Sequence, residues 1–94
     1  MARPNPWRHL GALIAQERTL AGLTQAEVAK RLGKPSAWVQ RLEVGRPVKI
    51  VELIMVAEAI GFEINQLLAR FERERGGRLP KLPGVREAIE DWSA

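Results

Sequence analysis

What most constrains this chain is its punctuation. Five stretches of helical hydrophobic spacing follow one another with little between them, and each ends at a glycine: Gly22, Gly33, Gly45, Gly61 and the pair Gly76-Gly77. Apolar residues recurring every three or four positions lay one apolar stripe along a helix. A glycine just past the last periodic residue is where a helix can close in the left-handed conformation. Leu10, Leu13, Ile14 and Leu20, with Glu17 in the same register, predict a first helix over about residues 7–21. In Leu23-Thr24-Gln25-Ala26-Glu27-Val28, Thr24 is placed to cap a second helix and Glu27 completes a capping box. Leu23 and Val28 stand at the two positions of a hydrophobic staple, and this helix runs over about 24–32. The third spans about 35–44, with Pro35 in its first turn and Val39 and Leu42 inward. The fourth spans about 49–60 with Ile50, Leu53, Ile54, Ala57 and Ile60 on one face; the fifth spans about 63–75 with Ile64, Leu67, Leu68 and Phe71 inward. No stretch reads as a strand, so the expected fold is all-α.

Ninety-four residues make one small domain with room for an appendage. The domain is expected over residues 1–75. Residues 76–94 are left as a linker, Arg78-Leu79-Pro80-Lys81-Leu82-Pro83-Gly84, and a short sixth helix over Val85–Trp92. A domain of this size buries only about 60% of its unfolded surface, which makes dimerisation a fair expectation.

The composition excludes more than it names. There is no cysteine, one histidine (His9) and one aspartate (Asp91), so thiolate zinc sites, disulfides and a Ser–His–Asp relay have almost nothing to be built from. Glu87 and Glu90 have no apolar pocket to separate their acidities. No enzyme, metal or cofactor is expected. The opening Met1-Ala2-Arg3-Pro4-Asn5-Pro6 lacks the apolar core of a secretory signal, and no uncharged apolar run approaches the ~20 residues of a membrane span. The expected setting is the cytoplasm, in association with the nucleoid. Net charge is +4, unevenly spread: residues 1–50 hold nine Lys/Arg against three Glu, and residues 51–94 hold six against eight acidic residues. A basic front half suits a polyanion and a slightly acidic back half suits protein contacts.

Two helices joined by a short glycine-containing turn form the core of a helix-turn-helix, and residues 25–44 carry its constraints. Ala29 is small where the two helices would cross, Gly33 lies in the turn, and Val28, Leu32, Val39 and Leu42 supply the buried contacts. The run from Gly22 to Gly33 continues through Val39-Gln40-Arg41-Leu42-Glu43-Val44-Gly45 and Val56-Ala57-Glu58-Ala59-Ile60-Gly61. In that order it resembles the Cro/lambda-repressor-type (XRE) helix-turn-helix family over about residues 8–71. The resemblance implies a five-helix, lambda-repressor-like domain that binds DNA, with the short C-terminal extension added. It also implies an ion pair between Arg18 of the first helix and Glu43 at the end of the third. The chain departs from the family pattern at Lys34, where an apolar residue is usual, and at Pro35, where a Ser-like cap is usual.

The major groove, about 12 Å wide, admits one α-helix. With Val39 and Leu42 inward, the outward residues of the third helix are Ser36, Ala37, Gln40 and Arg41, with Val44 beyond. Arg41 could bind guanine through two hydrogen bonds or hold a phosphate; Gln40 could pair with adenine, and Ala37 could touch a thymine methyl. Gln25, beside Thr24, is placed to hold a backbone phosphate or stand solvated. Lys34, Arg46 and Lys49 are phosphate candidates, with Arg3 and Arg8, and Lys30 and Arg31 add to the same basic surface. Trp38 either packs on the sugar–phosphate edge or fills the core. Trp7 and His9 read as anchors for the N-terminus.

The expected partners are double-stranded DNA and a second copy of the chain. The function to which this leads is a sequence-specific transcriptional regulator, a repressor acting as a homodimer on an inverted-repeat operator, of bacterial or phage type. The alternative is an antitoxin-like protein whose C-terminal half binds a partner protein, DNA binding serving autoregulation. Leu79, Leu82, Val85, Ile89 and Trp92 have no evident place in a five-helix core. They are expected to form the dimer contact against Leu68 and Phe71 of the fifth helix.

Overall fold

The computed structural model describes residues 5–74, and among these the only regular elements are five α-helices. Helix α1 is Pro6–Leu20. Asn5 caps it by accepting the Trp7 N–H at 2.9 Å, and Pro6 occupies the first turn, where no N–H is needed. Helix α2 is Gln25–Leu32. Its capping box is complete: the Thr24 hydroxyl accepts from the Glu27 N–H and the Glu27 carboxylate accepts from the Thr24 N–H, both at 3.1 Å. Gly33 ends α2 at a φ of 67°, and the Lys34 N–H turns back onto the Ala29 carbonyl at 2.9 Å. Helix α3 is Ser36–Val44, α4 is Ile50–Ile60 and α5 is Ile64–Glu74. Pro35 sits outside the first turn of α3 as its N-cap, in extended conformation, and offers no side-chain cap.

Helix α3 is held between α1 and α2, while α4 closes on α2 and α5 closes on α1 and α4. One core collects Leu10, Leu13 and Ile14 of α1, Val28 and Ala29 of α2, Val39 and Leu42 of α3, Leu53, Val56 and Ile60 of α4, and Leu67 and Phe71 of α5. Val48 joins it from the loop before α4.

Two expectations about faces are corrected. Leu20, the last residue of α1, is 80% exposed, and the buried residues of that helix are Leu10, Gly11, Leu13 and Ile14. On α4 the buried stripe is Leu53, Val56, Ala57 and Ile60, and Ile54 lies 41% exposed. Nine of the eleven α4 residues are apolar, so spacing alone could not choose the face. Phe71 is fully buried, as its inward place on the fifth helix predicts, with the His9 ring against it at 5.3 Å between centroids, so it is not the exposed side chain that a dimer contact needs. Leu68 is half-buried, and Leu79, Leu82, Val85, Ile89 and Trp92 lie outside the described residues.

Of the described glycines, Gly11 has the least room for a side chain. A Cβ placed there would lie 2.5 Å from the Leu42 carbonyl oxygen and 2.7 Å from that of Glu43, both backbone atoms at the end of α3. Only a residue without a side chain lets α1 lie on that turn. Gly11→Ala should therefore lower stability by about 1–3 kcal/mol, as overpacking does, despite the better helix propensity of alanine. At Gly33 the space is open and only the positive φ opposes a side chain, so Gly33→Ala should cost about 1–2 kcal/mol with the helix positions kept. Urea unfolding gives both free energies. The Gly11 variant, unlike the Gly33 one, should also shift the amide resonances of Leu42 and Glu43.

Candidate nucleic-acid interface

The back of α3 is fixed by an ion-pair network. The Arg18 guanidinium donates from Nε to Glu43 Oε2 at 2.7 Å and from Nη2 to Oε1 at 3.0 Å, and its Nη1 donates to the Leu23 carbonyl at 2.8 Å. Gln25 Nε2 adds a bond to Glu43 Oε1 at 2.9 Å. One carboxylate thus gathers α1, the loop before α2, the first residue of α2 and the end of α3. Both charges are largely covered, and the bond to Glu43, followed by its charge, raises the proton affinity of Arg18. Two-point geometry of this kind fixes orientation as well as distance.

The front of α3 is open. Ser36, Ala37, Gln40, Arg41 and Val44 are all exposed and fall at spacings of one, four, five and eight, which is one face of a helix. Among the described residues neither Gln40 nor Arg41 has a side-chain hydrogen-bond partner. Pro35 and the first turn of α3 lead this face, with the Trp38 N–H already returned to the Pro35 carbonyl at 2.9 Å. Trp38 is half-buried against the core, and the Lys34 ammonium stands 5.2 Å from the centre of its ring. Lys34 therefore closes over the indole rather than over the apolar core, and its charge is held beside the start of α3. Arg46 follows the Gly45 cap, its N–H bonded to the Arg41 carbonyl at 3.0 Å, and Lys49 precedes α4; both side chains are exposed.

Some candidates have other engagements. The Gln25 amide is bonded to Glu43, which leaves the backbone N–H groups at the start of α2 as the open donors of that turn. Thr24 is occupied in the capping box. Arg31 donates to the Ala59 carbonyl at 2.7 Å and so ties α2 to the end of α4. His9 Nε2 lies 3.1 Å from Glu74 Oε1, and Arg70 bridges from Glu74 to Gln16 with both bonds at 2.7 Å; these contacts lash α5 to α1. Gly11, Gln16 and the Gln25–Glu43 bond are absent from the sequence reading. Of these only Gly11 left a signal, as a glycine inside a helical pattern.

Comparison with known proteins agrees with this arrangement. Residues 9–71, more than half of the chain, match the family described as Helix-turn-helix domain. Among solved structures, an XRE-family like protein from Pseudomonas syringae pv. tomato str. DC3000 superimposes with a TM-score of 0.67 at 31% sequence identity, the match covering 73% of this chain and 85% of that one. The chain belongs to the XRE family of helix-turn-helix proteins. No curated protein matches its sequence. Within the XRE frame, α2 and α3 are the helix-turn-helix pair and α3 is the helix that presents its outward side chains, the arrangement of a DNA-binding regulator. No described helix is long and apolar enough to cross a membrane, and no cluster of metal-ligating side chains occurs among the described residues.

Two measurements follow. Gln25→Ala should lower stability by about 1 kcal/mol through its lost bond to Glu43, and Glu43→Ala by about 3 kcal/mol, because it leaves Arg18 covered and unpaired. Chemical denaturation gives both values, and equal losses would show that the Arg18–Glu43 pair adds no net stability beyond the Gln25 bond. The second concerns acid. Accepting the Thr24 N–H, and next the Thr24 side chain, draws the Glu27 carboxylate below its usual value of 4.5. Folding thus favours the charged form, and this contribution is present above 4.5 and lost as the pH falls through the lower folded value. Glu27→Gln should flatten the loss of stability below that pH, measured by urea midpoints at neutral and acid pH.

Proposed function

We propose that this XRE-family protein is a sequence-specific transcriptional repressor that binds an inverted-repeat operator as a homodimer. Helix α3 enters the major groove and bound dimer occludes a promoter. One observation carries the reading: α3 is clamped along its back by Glu43 and Leu42 while Ser36, Ala37, Gln40 and Arg41 stand together in solvent without internal partners. Side chains held on a fixed helix but bonded to nothing suit readout of base edges, since their hydrogen-bonding capacity is kept for the ligand and little ordering remains to be done.

Arg41 at the far end of this face reads guanine, Gln40 reads adenine, and Ala37 meets a thymine methyl. The N–H groups of the first turn of α2 fix the register on one phosphate strand, and Lys34, Arg46 and Lys49 add charge on either side. A single α3 spans only a few base pairs. Two copies with their reading helices about 34 Å apart would read successive turns on one face of the duplex. The setting is the DNA of the cytoplasm, with no cofactor required by any of these contacts.

Selection of binding sites from random DNA tests the whole reading, the expected result being a palindrome with half-sites one helical turn apart. On that site Arg41→Ala should cost about 1–3 kcal/mol in affinity and leave the melting temperature unchanged, while affinity for unrelated DNA falls much less. Equal losses on both kinds of DNA would make Arg41 a phosphate ligand. The logarithm of affinity should fall with that of salt at a slope of roughly −5 to −7, for five to eight neutralised phosphates per dimer; a slope near zero would remove DNA as the partner.

A further inference from the structure

Helix α4 carries apolar residues on a side that the core does not use. Val51, Ile54 and Met55 are 61%, 41% and 43% exposed, and their spacing of three and four puts them in one stripe. The outer face of α5 is different: Asn65, Gln66, Ala69, Arg73 and Glu74 are its exposed residues. Of the five large apolar side chains that the described residues expose, three are in this stripe. A helix that is apolar nearly all round is ordinarily covered on both sides. Three side chains are nonetheless far short of the ~800 Å² per partner that a stable interface between two domains takes. They suit one short amphipathic segment.

The chain contains such a segment. Beyond Glu74 lie twenty residues, and Val85, Ile89 and Trp92 stand in them at spacings of four and three. Ten residues, 75–84, separate α5 from Val85, a tether of up to about 33 Å against an α4 of about 16 Å. The tether starts beside α1, where Glu74 meets His9 and the neighbouring Arg8 lies against Gly45, the head of the loop into α4. Charge sets the direction. The stripe runs from Lys49 to Glu58, and the segment runs from Arg86 to Glu90 and Asp91, so antiparallel docking puts opposite charges together at both ends.

We propose that residues 85–92 of one copy dock antiparallel on the Val51–Ile54–Met55 stripe of α4 in the other copy, with Ile89 opposite Ile54. The exchange between copies rests on the homodimer proposed above. If each segment covered its own α4, only Leu20 of α1 and Val44 of α3 would be left as large exposed apolar side chains among the described residues, and Val44 stands on the face proposed for DNA. Reciprocal docking instead joins two stripes and two segments about one two-fold axis. The receiving surface is thereby α4, not Leu68 and Phe71 of α5.

The absence of cysteine in the full chain makes the test direct. Ile54→Cys with Ile89→Cys, oxidised at micromolar concentration, should yield a covalent dimer on a non-reducing gel, whereas Gln66→Cys with Ile89→Cys should not. Val51→Ser with Met55→Ser changes only exposed side chains and should raise the dimer dissociation constant roughly tenfold or more, with helicity unchanged. A dimer by sedimentation that links through Gln66 and not Ile54 overturns the α4 site and leaves the homodimer standing. An internal link that yields a faster-migrating monomer overturns the exchange. An unmodified chain that sediments as a monomer overturns the homodimer itself, and the docking with it.

Discussion

The position of α3 depends on how closely α1 lies on its last turn. Gly11 lets backbone meet backbone there, at Leu42 and Glu43, and about two turns further along α1 the guanidinium of Arg18 grips the Glu43 carboxylate. The two contacts fix different things. The first sets the distance between the helices, since any side chain would push them apart. The second sets rotation and slide, because a two-point hydrogen-bonded pair tolerates little of either. With Gln25 bonded to the same carboxylate, the start of α2 and the end of α3 become parts of one rigid unit. The angle between the helix that would touch phosphate and the helix that would read bases is then determined inside the protein, before any DNA is met.

Much of this was legible in the sequence, where local chemistry decides the structure. Thr24 and Glu27 specify a helix start because a hydroxyl and a carboxylate three residues apart satisfy each other's N–H groups, whatever the remainder of the chain does. Gly33 specifies its end for an equally local reason, with the left-handed φ written into the residue type. Arg18 and Glu43 are twenty-five residues apart and nothing local joins them; their pairing was available only through the family pattern.

Legibility ended where a helix has more than one apolar face or a polar residue more than one partner. In α4 the choice between Ile54 and Val56 was made by α2 and α5, against which the helix packs, and no spacing rule contains those neighbours. Phe71 has two places in the sequence, inward by its spacing and beside a partner's tail by the expected dimer contact, and His9 of α1 and the core take up the first. By the sequence Gln25 can hold a phosphate or stand solvated, and a partner inside the protein is a third option. That Glu43 would fold back within 2.9 Å of it is a consequence of the α1–α3 crossing, thus of Gly11. In each case tertiary packing chooses among options that the sequence leaves equal.

Pro35 and Lys34 bring the same reasoning to the entry of α3. A Ser-like cap would spend its hydroxyl on the first turn and draw the local N–H groups inward. Proline fixes the entry by its φ of −66° alone and supplies no side-chain acceptor, so the Ser36 and Ala37 N–H groups at the tip remain available to an acceptor from outside. Lys34, one residue earlier, sets its ammonium over Trp38, and the indole in turn rests against the core. A positive charge, open N–H groups and the positive end of a helix dipole therefore converge on one point of the surface, each held by a different constraint. The usual side-chain cap stabilises a helix by satisfying its end. Here the end is left unsatisfied and the burden of stability falls on the far end of the same helix, at Glu43. That division explains how a nine-residue helix without a side-chain cap can keep a fixed place in the fold while its tip and outer face stay open.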